Sequence, residues 1–186
     1  MLIDAIGLVT IILLSSARLS QVFNGEGWAF PLLFHSILAV ILLLIHRKST
    51  STTHLWKKLI AWISAFLPLG MRISGEVSPA IQGLSVLGVV FSLWGLISLG
   101  RSFDIGPADR GLVQEGPYRF LRHPIYTGEL FSVAVVALAE MTLWNGLILL
   151  VLVITLIARI IWEERIINGY PVYANKVRNR LVPGIW

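Results

Sequence analysis

Six long runs of apolar side chains, separated by short polar loops, constrain this chain more than any other feature. The runs extend approximately over residues 2–21, 30–46, 55–71, 80–100, 125–141 and 143–162. A helix needs about 20 apolar residues to cross the roughly 30 Å of bilayer hydrocarbon. The pattern therefore predicts an all-α polytopic membrane bundle of about six transmembrane helices. The third run is the weakest, because Lys57 and Lys58 shorten it and Pro68 lies near its other end, so a five-span bundle is the alternative.

The composition supports the membrane class. Hydrophobic residues make up 56% of the chain and charged residues 13%, against roughly 45–50% and about 25% in an average soluble domain. No stretch has the composition of a linker, so we expect one integrated membrane domain. The chain has no cysteine, which excludes disulfides, thiolate nucleophiles and thiolate metal sites.

Basic residues in short loops predict which side of the membrane each loop faces. Lysines and arginines flank residues 49–53 and are frequent in residues 101–123 and 163–186, whereas the loops at 24–29 and 144–145 contain none. We therefore expect the three basic segments and both termini to lie in the cytoplasm, in a protein of a prokaryotic inner membrane. The basic excess marks this orientation and contacts with membrane lipids, and we expect no nucleic-acid partner.

The first motif with chemical content is the stretch GPYRFLRHPIYTGE at residues 116–129. Pro124 suits the first turn of the fifth helix, because it has no N–H group to leave unpaired there. His123 is therefore expected to cap that helix. A helix N-terminus carries free N–H groups and partial positive charge, and Arg119 and Arg122 lie beside it. The sequence thus predicts an anion site for a carboxylate or phosphate.

The second motif is RIIWEE at residues 159–164. A spacing of four puts Arg159 and Glu163 on one helix face, with Arg159 at membrane depth, where an ionisable side chain is a functional candidate. A plain ion pair between these two residues is the structural alternative. Glu163 and Glu164 oppose the helix dipole near its C-terminus, so compensating partners are expected. Glu129 lies about one turn inside the fifth span. Solvation at the membrane interface and a functional role would each explain a charged residue there.

Other polar residues are assigned no chemical role. The tail residues Lys176, Arg178 and Arg180 are expected to contact lipid head groups. His35 and Glu140 are isolated among apolar residues, and we expect them to be interior or interfacial polar side chains.

Together the motifs resemble the isoprenylcysteine carboxyl methyltransferase and phospholipid methyltransferase family of integral membrane enzymes. The resemblance rests on their order along the chain: Leu112-Val113, Gly116-x-Tyr118, Arg122-His123-Pro124-x-Tyr126-x-Gly128, Arg159-x-x-x-Glu163-Glu164, then Tyr173, Val177 and Pro183. It implies a catalytic methyltransferase-like region over residues 99–186, preceded by N-terminal transmembrane helices over residues 1–98. It also implies that S-adenosylmethionine occupies a cytoplasmic pocket closed by the last loop and the tail, and that a lipophilic acceptor enters from the bilayer.

The resemblance further implies roles for individual residues. The residues implied at the cofactor are Leu112, Val113, Gly116, Tyr118, Arg122, His123, Tyr126 and Glu164. Arg159 and Glu163 match positions near the reacting centre, and no metal is implied.

The acceptor that we expect is a carboxylate, such as that of a prenylated cysteine, or a similar small lipophilic molecule. An arginine can orient a carboxylate through paired hydrogen bonds, and Arg159 is the candidate. The alternative is an NADPH-dependent membrane oxidoreductase of the sterol-reductase type, which has a similar HPxYxG stretch and a comparable basic tail.

Overall fold

The computed structural model describes residues 2–25, 29–51, 53–72 and 77–186. Within these ranges the secondary-structure elements are helices, joined by loops. The α-helices in chain order are α1 (Leu2–Phe23), α2 (Ala29–Ile45), α3 (Leu55–Phe66), α4 (Pro79–Leu99), α5 (Pro124–Ala139), α6 (Leu143–Ile166) and α7 (Tyr170–Lys176). Each of the six apolar runs coincides with one of α1 to α6. The predicted all-α membrane bundle is thus confirmed.

The helices differ in how much of a bilayer they can cross. Among the described residues, three helices are long and apolar enough to span the hydrocarbon: Ile3–Phe23, Pro79–Ser102 and Leu143–Ile166. The apolar segments Pro31–Ile45 and Pro124–Ala139 are shorter.

The third predicted span contains a shorter α-helix than the sequence suggested. α3 ends at Phe66 and continues as a 3₁₀ turn over Leu67–Gly70. Pro68 accounts for the change, because it has no N–H group to continue the α-helical hydrogen bonds and its ring disfavours the preceding helical turn.

Small residues let α4 and α5 pack with their backbones close together. A Cβ atom on Gly88 would lie 2.6 Å from the carbonyl oxygen of Gly128, and a Cβ atom on Gly128 would lie 2.8 Å from the Cβ atom of Ser92. The hydroxyls of Ser85 and Ser132 are 2.7 Å apart across the same interface. Small side chains at such positions are the usual basis of close helix packing in membranes. This contact fixes the rotation of α5, which carries the first motif.

The loops of residues 46–54 and 100–123 and the tail 167–186 meet at one end of the bundle, here called the basic end. Asp109 joins two of these segments to each other. Its carbonyl accepts a hydrogen bond from the backbone N–H of Thr50 (2.9 Å), and its carboxylate accepts two from Asn168 (3.2 and 2.6 Å). Thr50 and the start of the tail therefore lie at the same end of the molecule.

The tail folds back onto the start of α5. The backbone N–H of His123 donates to the carbonyl of Arg180 (3.0 Å), and the hydroxyl of Thr127 donates to the carbonyl of Leu181 (2.8 Å). These bonds satisfy backbone groups at a helix end and a chain terminus. They bring residues 177–186 against the first motif.

Candidate active site

A cavity of about 280 Å³ runs from the basic end into the interior between the helices. Its volume is near the lower end of the roughly 300–1,000 Å³ typical of small-molecule sites. At the basic end its lining includes Leu112, Val113, Tyr118, His123, Tyr170 and Tyr173. Further in, it is lined by apolar side chains of α1, of α3 and of the 3₁₀ turn that follows α3, among them Ile11, Leu14, Phe66 and Leu69. One continuous space thus joins a polar, aromatic compartment to an apolar one.

The cavity gathers most of the residues that the sequence singled out. Its lining includes Leu112, Val113, Tyr118, Arg122, His123, Tyr126, Arg159 and Glu163, but neither Gly116 nor Glu164. Gly116 begins a 3₁₀ turn with a φ of +57°, which favours glycine. A Cβ atom there would lie 3.1 Å from the Cβ atom of Ser98 and clash with its hydroxyl. Gly116 therefore allows the turn that carries Tyr118 to approach α4.

Glu164 is surrounded by basic groups. Its Oε1 atom accepts hydrogen bonds from Arg122 (3.0 Å) and from Nε of Arg180 (3.0 Å), and lies 3.2 Å from Nε2 of His123. Its Oε2 atom accepts a further bond from Nη2 of Arg180 (2.9 Å). The expectation that the acidic end of α6 has compensating partners is confirmed for Glu164.

Two expectations about arginines are corrected by this arrangement. Arg180 pairs with Glu164 through two nitrogens and lies 5.0 Å over the ring of Trp186, so it does not extend to lipid head groups as predicted. The positive charge of Arg122, predicted to help form an anion site, is paired with the same carboxylate. His123 is the N-cap residue of α5, as predicted, although its side chain makes no capping hydrogen bond to the helix. The helix N-terminus is thus part of an ion-pair cluster and not an open anion site.

Tyrosines form a wall of the cavity at the basic end. The Tyr170 hydroxyl lies 3.0 Å from Nε2 of His123, and the Tyr173 hydroxyl donates to the carbonyl of Tyr118 (2.7 Å). Burial raises the pKa of Tyr170 above its usual range and that of Tyr173 to about 12. Both hydroxyls therefore stay protonated near neutral pH. The sequence interpretation did not include Tyr170. The available signal was Gly169, which directly precedes Tyr170 and adopts a φ of +77° at the N-cap of α7.

Glu163 connects the two motifs. The hydroxyl of Tyr126 donates a hydrogen bond to its Oε1 atom, and Nδ1 of His123 lies 3.8 Å from its Oε2 atom. Glu163 thus holds two side chains of the first motif in place. These contacts also give the second carboxylate of α6 the polar partners that the sequence led us to expect.

Arg159 is buried and lies above the ring of Tyr126, with 4.7 Å between the guanidinium carbon and the ring centre. Its Nη2 atom donates to the carbonyl of Ile105 (3.0 Å). Within the described residues it forms no ion pair with Glu163, so the simple pairing considered above is wrong. Its Nε atom is buried and has no hydrogen-bond partner in the described part of the chain. A guanidinium held in this way has an N–H group left to bind an anionic atom in the cavity.

Two more ionisable residues of α2 and α5 line the cavity, His35 and Glu129. Nε2 of His35 lies 3.2 Å from the hydroxyl of Ser92 on α4. The sequence left Glu129 open and treated His35 as isolated. A helical pattern gives the spacing of side chains along a face, but which face meets the cavity depends on how α2 and α5 pack against their neighbours.

Comparison with known proteins bears on the same part of the chain. Residues 81–174 match the model of a family described as phospholipid methyltransferase. The matched segment begins in α4 and ends in α7, so it contains both motifs and the hairpin between them. Comparison with curated proteins gave no significant match.

Proposed function

Because the chain belongs to the phospholipid methyltransferase family and is an integral membrane methyltransferase, we propose that it transfers a methyl group from S-adenosylmethionine to a lipophilic acceptor. The observation that carries this proposal is one continuous cavity, which is polar and aromatic at the basic end and apolar further in. A polar donor and a lipophilic acceptor require these two environments side by side. The family favours methyl transfer over the NADPH-dependent reduction that the sequence left open.

The residues at the basic end fit the chemistry of S-adenosylmethionine. A sulfonium cation is attracted by the faces of aromatic rings and by carboxylates, and Tyr118 and Glu163 offer both in one compartment. Bound there, the cofactor supplies a methyl group already activated by the positive sulfur. We assign Leu112, Val113, Tyr118, Arg122, His123 and Tyr126 to its binding. Gly116 and Glu164 would act by positioning the 116–119 turn, Arg122 and His123.

Methyl transfer by in-line displacement depends mainly on positioning and on exclusion of water. Arg159 is suited to orient an acceptor carboxylate, because the Ile105 carbonyl and the Tyr126 ring fix its plane while Nε has no partner among the described residues. An ionised carboxylate carries no proton to remove, so this acceptor needs no general base. Glu163 contributes by holding Tyr126 and His123 in place. We propose a lipophilic carboxylate such as that of a prenylated cysteine.

The acceptor would reach Arg159 from the bilayer through the apolar part of the cavity. We propose that the basic end faces the cytoplasm of a prokaryotic cell, since the loops around it are rich in lysine and arginine. The methyl donor, which is water-soluble, would then bind from the cytoplasmic side.

Substitution of Arg159 tests this function. The assay follows transfer of a labelled methyl group from S-adenosylmethionine to S-farnesyl-N-acetylcysteine by the protein in nanodiscs. Arg159→Ala should lower turnover by about 100-fold or more, the effect of a lost orienting or charge-stabilising group, and leave donor affinity nearly unchanged. Arg159→Lys should recover little, because an ammonium lacks the planar fork.

The matched control is Arg165→Ala, which removes an exposed arginine from the same helix. It should keep wild-type turnover. Unchanged turnover in Arg159→Ala would remove this residue from the site. A joint fall in melting temperature, donor affinity and turnover would instead show that Arg159 only supports the fold.

A further inference from the structure

Two side chains of opposite charge face the cavity at similar depth. Glu129 lies five residues after the start of α5, and Arg159 lies seven residues before the end of α6. With a rise of 1.5 Å per residue, they are about 7.5 and about 10.5 Å inside the helix ends. Both line the same space, so a molecule bound there would meet both.

Neither side chain has an ion-pair partner within the described residues. Arg159 bonds to a carbonyl oxygen and lies over an aromatic ring. The Glu129 carboxylate accepts no hydrogen bond from any residue that the structure describes. A carboxylate without a partner away from bulk water is costly, and ionisable residues at membrane depth are usually paired or face a functional cavity.

The packing of α5 keeps Glu129 in this place. The adjacent residue, Gly128, is pressed against α4, where a Cβ atom would lie 2.5 Å from the backbone nitrogen of Ser92. Rotation of α5 that moved Glu129 toward lipid or the interface would break this contact. The carboxylate therefore faces the cavity because of the fold, and a molecule bound in the cavity can contact it.

We propose that Glu129 is a specificity-determining residue, which accepts a hydrogen bond from an N–H or O–H group located beside the carboxylate of the acceptor. This inference rests on the proposed methyl transfer to a carboxylate oriented by Arg159. A plain fatty acid would satisfy Arg159 but offer Glu129 only a second negative charge. An amphiphile that carries an amide N–H next to its carboxylate satisfies both side chains.

Two probes of equal chain length separate these cases. N-lauroylglycine and pentadecanoate each have a chain of 15 atoms and one carboxylate, but only the first has an amide N–H. Their dissociation constants are measured by calorimetry on the full-length protein in nanodiscs. The wild type should bind N-lauroylglycine about tenfold or more tightly than pentadecanoate, the preference expected for one charge-assisted hydrogen bond.

Variants assign the preference to its residue. Glu129→Leu should bring the ratio of the two dissociation constants close to one, and Glu129→Gln should give an intermediate ratio, because its amide oxygen is a neutral acceptor. Glu115→Leu removes an exposed glutamate at the basic end and should keep the wild-type ratio. Arg159→Ala should weaken both acids alike. Unchanged affinity for S-adenosylmethionine shows that each variant is folded, and Glu129→Gln carries the test if Glu129→Leu does not fold.

Three other binding results would reject either the role of Glu129 or the carboxylate acceptor. Equal affinities in the wild type, or a preference that survives Glu129→Leu, would reject the role of Glu129 and leave the proposed methyl transfer standing. If neither acid binds, the carboxylate acceptor itself is rejected. If dodecylamine binds more tightly than either acid and Glu129→Leu abolishes its binding, Glu129 recognises a cationic acceptor and the assignment to a carboxylate is rejected.

Discussion

Removal of the Glu164 carboxylate should destabilise the basic end of the bundle. The side chain is 12% exposed, and its partners Arg122 and Arg180 are 10% and 30% exposed. Loss of one partner from a buried ion pair costs about 3–5 kcal/mol, because the other charge is left uncompensated. Arg180 is close to a third exposed and can regain water, so we expect Glu164→Ala to cost about 3 kcal/mol, at the lower end.

Two measurements together test this prediction. Thermal unfolding of the protein in detergent should show a lower melting temperature for Glu164→Ala than for Glu115→Ala, which removes an exposed carboxylate. Hydrogen exchange should become faster in residues 177–186, because the tail is attached through Arg180. In a double-mutant cycle, Glu164→Ala and Arg180→Ala should be non-additive.

A different pattern would assign Glu164 another role. If Glu164→Ala lowers affinity for S-adenosylmethionine but leaves the melting temperature and tail exchange unchanged, Glu164 contacts the cofactor directly. The ion-pair cluster would then not be what holds the tail.

Three further predictions concern packing, pH and topology. Gly128→Ala should force α4 and α5 apart and lower the melting temperature, at a cost of about 1–3 kcal/mol. Gly83→Ala has open space around its Cβ position and should not lower it. Equal effects of the two substitutions would contradict the close packing of α4 and α5. Tyr173→Phe should cost about 1–3 kcal/mol. Because the folded-state pKa of about 12 exceeds the roughly 10 of an unfolded tyrosine, the wild type should lose this residue's contribution as pH rises from about 10 to 12, and the variant should lack that loss. Lys48→Cys and Lys176→Cys, in a chain without cysteine, should react with an impermeant maleimide from the same side of the membrane; labelling from opposite sides would reject the predicted topology.

The sequence was sufficient to predict the all-α membrane architecture. Apolar runs of membrane-spanning length leave few alternatives to helices, since backbone groups in lipid must bond within their own segment. The two motifs supplied eight residues that line the cavity, whereas the lining residues between positions 102 and 111 were not predicted. Arg159 was expected to lie inside the last span, and the structure places it buried within α6.

What the sequence could not supply depends on tertiary packing. The partners of Glu164 come from residues 122 and 180, far apart in the chain, and no local pattern indicates that the tail returns to α5. Whether Glu129 faces lipid or the cavity is set by the glycine contact between α4 and α5. The sequence did not indicate that α3 ends at Phe66, because the effect of Pro68 on the weakly apolar third run depends on its packing.

Equilibrium binding of S-adenosylmethionine and of NADPH to the purified protein in nanodiscs, measured by calorimetry, shows whether the cavity serves methyl transfer. We expect saturable binding of S-adenosylmethionine, weakened about tenfold or more by His123→Ala, and no binding of NADPH. Binding of NADPH without binding of S-adenosylmethionine would contradict the account, because the cavity at the basic end would then serve hydride transfer and not methyl transfer.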